Sequence, residues 1–233
     1  MKILSLDSSA LVASVALCEN EKVLAEYTIN NGNTHSETLL PMIESMLSFF
    51  DLSAKDIDLF AVSAGPGSFT GVRIGAATLK GLAFGSDKPC AEVSTLEALA
   101  YNLRIHKGLI CPVMNARRSQ VYTALFRSDG ENLERIMPDS ALAISELDEV
   151  LCQYEEAVCL CGDGYDITAK GMEKAQLIFV PEAMRAQSAV SVGQVAFKNY
   201  QNDAFCSDRE LGVNYLRPSQ AERERAEKLK EQE

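Results

Sequence analysis

The sequence predicts an α/β fold built from two copies of a β-β-β-α-β-α unit. Between residues 1 and 30, apolar segments separated by polar turns indicate three short strands. A second series of strand, polar hinge, strand and turn begins near Leu109, and an offset of 108 positions aligns Asp7 with Asn115. The identity between the two copies is low, so the prediction depends on the repeated order of elements.

The first unit is predicted from the spacing of its apolar residues. A helix is expected to start at Thr34-His35-Ser36-Glu37, because T-x-x-E is the form of a capping box. His35 within this motif is expected to shape the helix start rather than to bind a metal ion. The helix continues to Phe50, with apolar residues at helical spacing. A buried strand over 57–64 then leads into the glycine-rich stretch GPGSFTGVRIG, from Gly65 to Gly75.

The segment 69–84 is predicted to be a helix that must be covered on more than one side. Its only charged residues are Arg73 and Lys80, which are seven positions apart and so share one face. The other faces carry small or apolar residues, and a helix that is apolar nearly all round is normally buried. A sheet would cover one side, and a second helix the other.

The remaining elements complete the second unit and end in a charged tail. Helices are expected over 145–151 and 188–200, and strands over 157–161 and 177–180. We therefore divide the chain into a first unit with partner-binding helices, a smaller second unit and a tail that is either a solvated helix or frayed: 1–104, 105–217 and 218–233.

The glycines of GPGSFTGVRIG are not spaced for phosphate binding. Gly65, Gly67 and Gly71 fall one residue out of step with G-x-G-x-x-G, no Gly-Lys-Ser/Thr follows, and Pro66 removes a backbone N–H. The alternative is that the glycines serve turn formation and helix packing. Gly65 and Gly67 would form a tight turn. Gly71 and Gly75 would form a ridge of small residues that another helix, from this chain or a partner, could approach closely.

Asp7-Ser8-Ser9 follows the first strand, at the edge where open α/β sheets place ligands. A carboxylate followed by small hydroxyls could hold a hydrated Mg²⁺ ion that contacts a phosphate. The same residues could simply form an Asx or Ser turn between two strands. Both interpretations remain open from the sequence.

Composition argues against several functions. The net charge is −11 with an isoelectric point near 4.8, and no Lys/Arg cluster exists beyond Arg117-Arg118, which argues against unaided nucleic-acid binding. The two histidines, His35 and His106, form no H-E-x-x-H motif, and no Ser/His/Asp set is evident. Seven cysteines, mostly within apolar segments, are typical of reduced buried thiols.

The chain is also expected to be cytoplasmic and to lack a membrane span. No apolar segment approaches the roughly 20 residues needed to cross a bilayer. The start, MKILSLDSSA, is only superficially similar to a signal peptide, because Asp7 interrupts it.

Five blocks together give the sequence a family resemblance. They are Asp7-Ser8-Ser9, His35-Ser36-Glu37-Thr38-Leu39-Leu40-Pro41, Gly65 to Gly75, Ala116-Arg117-Arg118-x-x-Val121-Tyr122, and Tyr215-Leu216-Arg217. In this order, over nearly the whole chain, they resemble the TsaB family, also called YeaZ. The resemblance implies an actin-like ATPase fold of the ASKHA, RNase H-like superfamily, which agrees with the duplicated unit.

The resemblance implies a supporting role in tRNA modification. Members of the family pair with a catalytic paralogue, TsaD, which transfers a threonylcarbamoyl group to N6 of the adenosine beside the anticodon. The ATPase TsaE joins the pair. For this chain we therefore expect a heterodimer with TsaD, contact with TsaE, a homodimer when alone, and access to tRNA only through the complex.

The resemblance also implies the loss of a catalytic metal site. Proteins of the TsaD type bind metal through H-x-x-x-H on a helix, and the aligned positions here are Thr95 and Leu99, which cannot replace imidazole ligands. We expect no catalytic residue and no cofactor in this subunit, and the assembled complex is left as the place where ATP and Mg²⁺ could bind. The candidate nucleotide contacts are Asp7, Ser8, Ser9 and Asn115. The family usually has Asp where Asn115 stands, which would remove a carboxylate facing Asp7.

By the same resemblance, two helices of the first unit meet the matching pair on TsaD in a four-helix interface. The predicted interface residues are Leu39, Ile43, Met46, Leu47, Gly71, Gly75, Thr78, Leu79 and Leu82. A bulky residue at Gly75 is then expected to disrupt pairing while the monomer still folds. Two alternatives remain, an ATP-dependent transferase or kinase of the same superfamily, and a peptidase.

Overall fold

The computed structural model describes residues 1–217, which form two five-stranded sheets and six α-helices. The first half contains β1 (Lys2–Asp7), β2 (Ala13–Glu19), β3 (Lys22–Ile29), α1 (His35–Ser48), β4 (Leu59–Gly65), α2 (Phe69–Ala83), β5 (Cys90–Ser94) and α3 (Thr95–Tyr101). The second half contains β6 (Gly108–Asn115), β7 (Gln120–Ser128), β8 (Leu133–Ala143), α4 (Ile144–Leu151), β9 (Val158–Cys161), α5 (Tyr165–Gly171), β10 (Leu177–Ile178) and α6 (Ala189–Gln201). The predicted tail, 218–233, lies outside the described residues.

The two sheets have the same topology, which confirms the predicted repeat. Strand order is β3-β2-β1-β4-β5 in the first sheet and β8-β7-β6-β9-β10 in the second. In each sheet the first strand pairs antiparallel with the second and parallel with the fourth. Asp7 pairs with Ser14 in the first sheet, and Asn115 pairs with Val121 in the second.

The first sheet is buried on both faces. Alternate residues of β1, such as Leu4 and Leu6, contact α1 and α2, whereas Ile3 contacts α6 on the opposite face. Helices on both faces explain why β1 and β4 are almost continuously apolar.

Two helices cross between the halves of the chain. Chain order placed α6 in the second unit, but Val192, Val195 and Ala196 pack on the first sheet. Conversely, α3 packs against β6 and β7 of the second sheet. Residues after α6 also return to the first sheet, where Cys206 forms a β-bridge with Cys90. The predicted boundary at 104–105 therefore separates the two sheets along the sequence, but helices from each side of the boundary pack on the other sheet.

The structure departs from the sequence prediction at the start of α1 and in the number of helices. Thr34 is the N-cap residue of α1 as predicted, but its hydroxyl bonds to no helix N–H. The Thr34 hydroxyl lies instead 3.1 Å from the Ser36 hydroxyl. The helices α3 and α5 were not predicted as elements of either unit. No helix within residues 1–217 combines the length and the apolar character needed to cross a bilayer.

The packing of α6 on the first sheet can be tested with Val192→Ala. Val192 is fully buried among residues of β1, β4 and β5, so removing two methyl groups should lower the free energy of unfolding by about 2 kcal/mol. Chemical denaturation measures the loss. Gln194→Ala on the same helix, at a partly exposed position, is the control, and an equal loss in both variants would contradict this packing.

Candidate functional site

The carboxylate of Asp7 is enclosed at the end of β1. Its Oδ1 accepts hydrogen bonds from the Ser9 backbone N–H at 2.9 Å and from the Ser9 hydroxyl at 2.7 Å, and its Oδ2 accepts one from the Ser63 hydroxyl on β4. Burial raises the pKa of Asp7 although these hydrogen bonds oppose the shift. The Asx turn is confirmed, and contact with a nucleotide stays a prediction.

A second carboxylate, Asp163, lies near this site at the end of β9, and its side chain is exposed. Partial desolvation is the main reason that the pKa of Asp163 is raised, and the negative charge of Asp7 raises it further. Asp163 accepts a hydrogen bond from the Asn115 backbone N–H at 3.3 Å. Asn115 supplies no carboxylate at this position, as the sequence indicates, but Asp163 places another one near Asp7 from the end of the neighbouring strand β9.

Sequence reasoning missed Asp163 because Gly162-Asp163-Gly164 was interpreted only as a turn. The available signal was positional. Parallel neighbours such as β6 and β9 end at the same edge of a sheet, so a carboxylate after β9 lies beside Asn115. Asn115 itself is exposed, and its side-chain oxygen accepts a hydrogen bond from the Arg117 N–H.

His35 links the start of α1 to the loop after Asp7. Its Nε2 lies 2.7 Å from the Ala10 carbonyl oxygen and so carries the proton of that hydrogen bond. Its positive form would lower the pKa of Asp7. The other ring nitrogen, Nδ1, is buried and has no partner among the described residues. The predicted role in shaping the helix start agrees with this contact.

The glycines of α2 pack against Ser8 and Ser9, so their interpretation as a ridge for another helix is wrong. A Cβ atom at Gly67 would lie 2.5 Å from the Ser9 carbonyl oxygen, and Cβ atoms at Gly71 and Gly75 would collide with the Ser8 carbonyl oxygen and hydroxyl. Ser8 also donates a hydrogen bond to the Gly71 carbonyl at 2.9 Å. The glycines therefore serve close packing within the monomer.

Two backbone donors of the glycine-rich turn, at Ser68 and Gly71, are used internally. The Ser68 N–H donates to the Ser9 carbonyl at 2.7 Å, and the Gly71 N–H donates to the Ser68 hydroxyl at 3.2 Å. Pro66 has no N–H to offer. The sequence-based conclusion that this loop is not a phosphate nest agrees with these contacts.

Most of the predicted interface residues on α1 and α2 belong to the monomer core. Leu39, Met46 and Leu79 are at most 1 % exposed and pack under the first sheet, so they are corrected from interface to core residues. The physical reason is that both helices turn their most apolar stripe towards the sheet. Thr78 and Leu82 are half-buried and remain accessible.

A shallow apolar groove of about 300 Å³ lies between α1, the segment 52–54 that follows it and Leu82 of α2. We call it the α1–α2 groove, and it is lined by Leu40, Ile43, Glu44, Leu47, Ser48, Leu52, Ser53, Ala54 and Leu82. Ile43 and Leu47, although largely buried, form part of its wall. Leu40 is 45 % exposed at its rim, and Phe49 and Phe50 are exposed just beyond α1.

The positions aligned with a metal-binding pair are enclosed by apolar packing. Thr95 and Leu99 lie on α3 and are at most 1 % exposed, with Leu99 in the core of the second sheet. Within residues 1–217 no cluster of three or more His, Cys, Asp or Glu residues is arranged to hold a metal ion.

Comparison with curated proteins identifies the family. The protein is 33 % identical over 222 residues to the tRNA threonylcarbamoyladenosine biosynthesis protein TsaB of Bacillus subtilis (strain 168), which covers 95 % of this chain and 96 % of that protein. The chain belongs to the TsaB family. The family member of Escherichia coli (strain K12) is 34 % identical over 145 residues, covering 59 % of this chain and 62 % of that protein.

The TsaB family is related to TsaD, and this chain shows the relation directly. A family model described as TsaD, tRNA N6-adenosine threonylcarbamoyltransferase, matches residues 22–223. The tRNA N6-adenosine threonylcarbamoyltransferase of Novosphingobium aromaticivorans is 41 % identical over 74 residues, which is 32 % of this chain and 21 % of that protein.

Solved structures confirm the predicted fold class. YeaZ from Pseudomonas aeruginosa superposes with a TM-score of 0.78 at 23 % sequence identity, covering 92 % of this chain and 99 % of that one. A second Pseudomonas aeruginosa structure, described as similar to peptidase YeaZ, gives a TM-score of 0.80 at 23 % identity over 93 % of this chain and 99 % of that one. The chain therefore shares the α/β fold of these YeaZ structures, and the relation to actin-like ATPases stays a prediction.

The burial of Asp7 predicts a pH-dependent gain in stability for Asp7→Asn. The folded-state pKa of Asp7 is raised from its ordinary value of 3.8, so its contribution to stability is present at low pH and is lost as the pH rises through the folded-state pKa. The variant should be more stable than the parent at neutral pH, with the difference vanishing below about pH 4. Chemical denaturation across a pH series measures it.

Asp56→Asn is the matched control with the opposite sign. Hydrogen bonds from the Ser53 backbone N–H and hydroxyl lower the pKa of Asp56. Its stabilising contribution is therefore present above the ordinary pKa and is lost as the pH falls through the folded-state value. If Asp7→Asn lost stability at neutral pH as Asp56→Asn does, the buried carboxylate would be stabilising and our interpretation would fail.

The contact between α2 and Ser8 predicts opposite effects for two glycine substitutions on one helix. Gly71→Ala places a methyl group against the Ser8 backbone and should lower the free energy of unfolding by roughly 1–3 kcal/mol. Gly81→Ala meets no atom within 4 Å and should raise it by about 0.5–1 kcal/mol. Thermal and chemical denaturation of the isolated protein decide the question, and a neutral Gly71→Ala would refute the contact.

Proposed function

We propose that this protein acts in the biosynthesis of threonylcarbamoyladenosine in tRNA, as a subunit that binds TsaD. TsaD carries the transferase chemistry, TsaE joins the pair, and this subunit supports them without transferring a group itself. Membership of the TsaB family supports the pathway. The α1–α2 groove carries the proposal of a protein partner.

The α1–α2 groove has the properties of a docking surface for a helix. Leu40 and Leu82 remain accessible above walls formed by Ile43 and Leu47. Phe49, at 76 % exposed, extends the apolar surface beyond the end of α1. Apolar residues grouped in this way on a surface are typical of protein interfaces, and an apolar groove can accept the apolar face of a partner helix. We infer that the matching helices of TsaD occupy the groove, and that a second copy occupies it when TsaD is absent.

The substitution of the metal-binding pair supports the absence of transferase chemistry in this subunit. Neither the hydroxyl of Thr95 nor the side chain of Leu99 is a competent replacement for an imidazole ligand. The net charge of −11 further supports tRNA contact through the complex rather than by this chain alone.

A charge placed in the α1–α2 groove should abolish pairing without unfolding the monomer. We expect Leu82→Asp to weaken the complex with TsaD of the same organism by more than about tenfold, because the carboxylate would be buried without a partner. Size-exclusion chromatography with light scattering, on this protein alone and mixed with TsaD, measures both homodimer and heterodimer. Ile105→Asp is the control, since Ile105 is 79 % exposed and lies outside the groove.

The outcomes separate the proposal from its alternatives. A parent homodimer that gives way to a one-to-one complex, with both lost in Leu82→Asp and kept in Ile105→Asp, supports the partner role. A parent protein that forms no complex with TsaD under any nucleotide condition refutes it. ATP hydrolysis by the isolated chain that is lost in Asp7→Asn would instead favour an active enzyme of the same superfamily.

A further inference from the structure

Two cysteines face each other where the chain returns to the first sheet after α6. Cys90, the first residue of β5, and Cys206 form an isolated antiparallel β-bridge. Each backbone N–H donates to the carbonyl oxygen of the other residue at 2.8 Å. The Cα atoms of such a pair are about 5.5 Å apart, and both side chains lie on the same face. Disulfide bonds join residues at this Cα separation, so the backbone places the two thiols within reach of each other.

The two thiols differ in their access to solvent. Cys90 is fully buried in the core of the first half, whereas Cys206 is partly exposed and packs against the same core. The Cys206 sulfur lies 3.4 Å from the Cys90 carbonyl oxygen. In pairs of this kind the accessible cysteine reacts first with an oxidant, and the neighbouring cysteine then displaces the attached group. Cys206 is therefore the residue that a small molecule can reach, and Cys90 is the residue beside it that completes the bond.

The other five cysteines lack this combination of access and pairing. Four of them are at most 4 % exposed, which closes them to an oxidant while the protein is folded: Cys18, Cys111, Cys159 and Cys161. Cys152 is exposed, but it follows α4, where no strand pairing places another cysteine opposite it. All seven cysteines lie within residues 1–217, so this comparison covers every thiol of the chain.

Burial keeps both sulfurs of the pair protonated at neutral pH. Burial, with smaller contributions from the negative charges of Glu92 and Glu210, raises the pKa of Cys206 to about 11. Burial is also the main reason that the pKa of Cys90 is raised to about 12. Because the thiolate is the reacting form of cysteine, the pair reacts slowly. Slow reaction suits a response to sustained oxidation rather than a catalytic step.

Cys206 is the first residue of a segment that crosses the first half of the molecule. We call residues 206–217 the C-terminal strap. The Asn214 N–H donates to the Ala64 carbonyl oxygen at 2.6 Å. The Tyr215 ring stacks on an aromatic ring of α2, with 4.6 Å between the ring centres. A covalent bond at the first residue of the strap would fasten it to β5 and restrict its opening.

We propose that Cys90 and Cys206 form a disulfide bond in the presence of a small disulfide oxidant, and that this bond fastens the C-terminal strap to β5. The Cys206 thiolate attacks the S–S bond of the oxidant, which leaves a mixed disulfide on Cys206 and releases one thiolate. The Cys90 thiolate then attacks the Cys206 sulfur, so the protein disulfide forms and the second thiolate leaves. Each protein thiol gives up its proton, two electrons pass to the oxidant, and the oxidant becomes two small thiols. The pair lies outside the α1–α2 groove, so the proposal is independent of the partner role.

The test applies oxidised glutathione to the full 233-residue chain, folded and at mildly alkaline pH. The remaining thiols are then alkylated, and peptide mass spectrometry identifies the cysteines that are joined. We expect a disulfide between Cys90 and Cys206. Cys90→Ser should stop at the mixed disulfide on Cys206, and Cys206→Ser should leave Cys90 as a free thiol. Cys152→Ser removes the exposed thiol that has no opposing cysteine, so this control should form the bond as the parent does.

Hydrogen exchange reports whether the bond fastens the C-terminal strap. The strap amides, such as the Asn214 N–H that donates to Ala64, exchange when the strap opens. We expect exchange over residues 207–217 to be at least about tenfold slower in the oxidised protein than in the reduced protein. Dithiothreitol should restore the faster exchange. Should Cys90→Ser fail to fold, Cys206→Ser at the partly exposed position carries the test, and the oxidant should not slow its strap exchange.

Three results would overturn the proposal. The first is a folded parent protein in which Cys90 and Cys206 stay unlinked while the exposed Cys152 takes up glutathione, which shows that the oxidant is active. The second is a bond between Cys90 and Cys206 that forms only after denaturant has unfolded the chain. The third is a bond that forms in the folded protein but leaves strap exchange unchanged.

Discussion

The close contact between α2 and the Ser8–Ser9 loop fixes the arrangement of the first half of the molecule. Glycines at positions 67, 71 and 75 allow the loop to lie directly on the helix, and hydrogen bonds from Ser8 to Gly71 and from Ser68 to Ser9 hold it there. At the start of the loop, the parallel pairing of β1 with β4 places Asp7 beside Ser63. Because side chains larger than hydrogen do not fit, the orientation of α2 against the sheet follows from this contact.

The same contact explains why β4, the glycine-rich turn and α2 together need not form a phosphate-binding site, although many such sites have a strand, a glycine-rich turn and a helix. Two backbone donors of the turn, the N–H groups of Ser68 and Gly71, are occupied by the protein's own oxygens. The Asp7 carboxylate accepts from Ser9 and Ser63, and burial disfavours its charged form. The pKa of Asp163 is also raised, partly by the negative charge of Asp7. A charged Asp7 therefore disfavours the charged form of Asp163.

The spacing of apolar residues predicted the repeated order of strands and helices, because alternating and helical patterns are local properties of the chain. The spacing could not show which elements pack against each other in the fold. The sequence of α6 shows an apolar helix, but nothing local states that Val192 packs on the first sheet rather than the second. Asp163 was missed because its importance depends on strand β9 lying beside β6. Likewise, the spacing of Gly71 and Gly75 gave their shared face correctly, while the neighbour on that face, Ser8, became visible only in the fold.

The helix α2 is apolar on nearly every side because most of its sides pack against different parts of the protein. Val72, Ala76 and Leu79 enter the core, and the glycine side meets the Ser8 loop. The charged side is also occupied, because Arg73 lies 3.8 Å from the centre of the Phe69 ring and donates a hydrogen bond to the Tyr215 hydroxyl. Within the described chain, this leaves the side of α2 that carries Ala77, Thr78, Gly81 and Leu82. Leu82 on that side lines the α1–α2 groove. The side that the sequence pattern expects another helix to cover is therefore left open, and the groove lies at its edge.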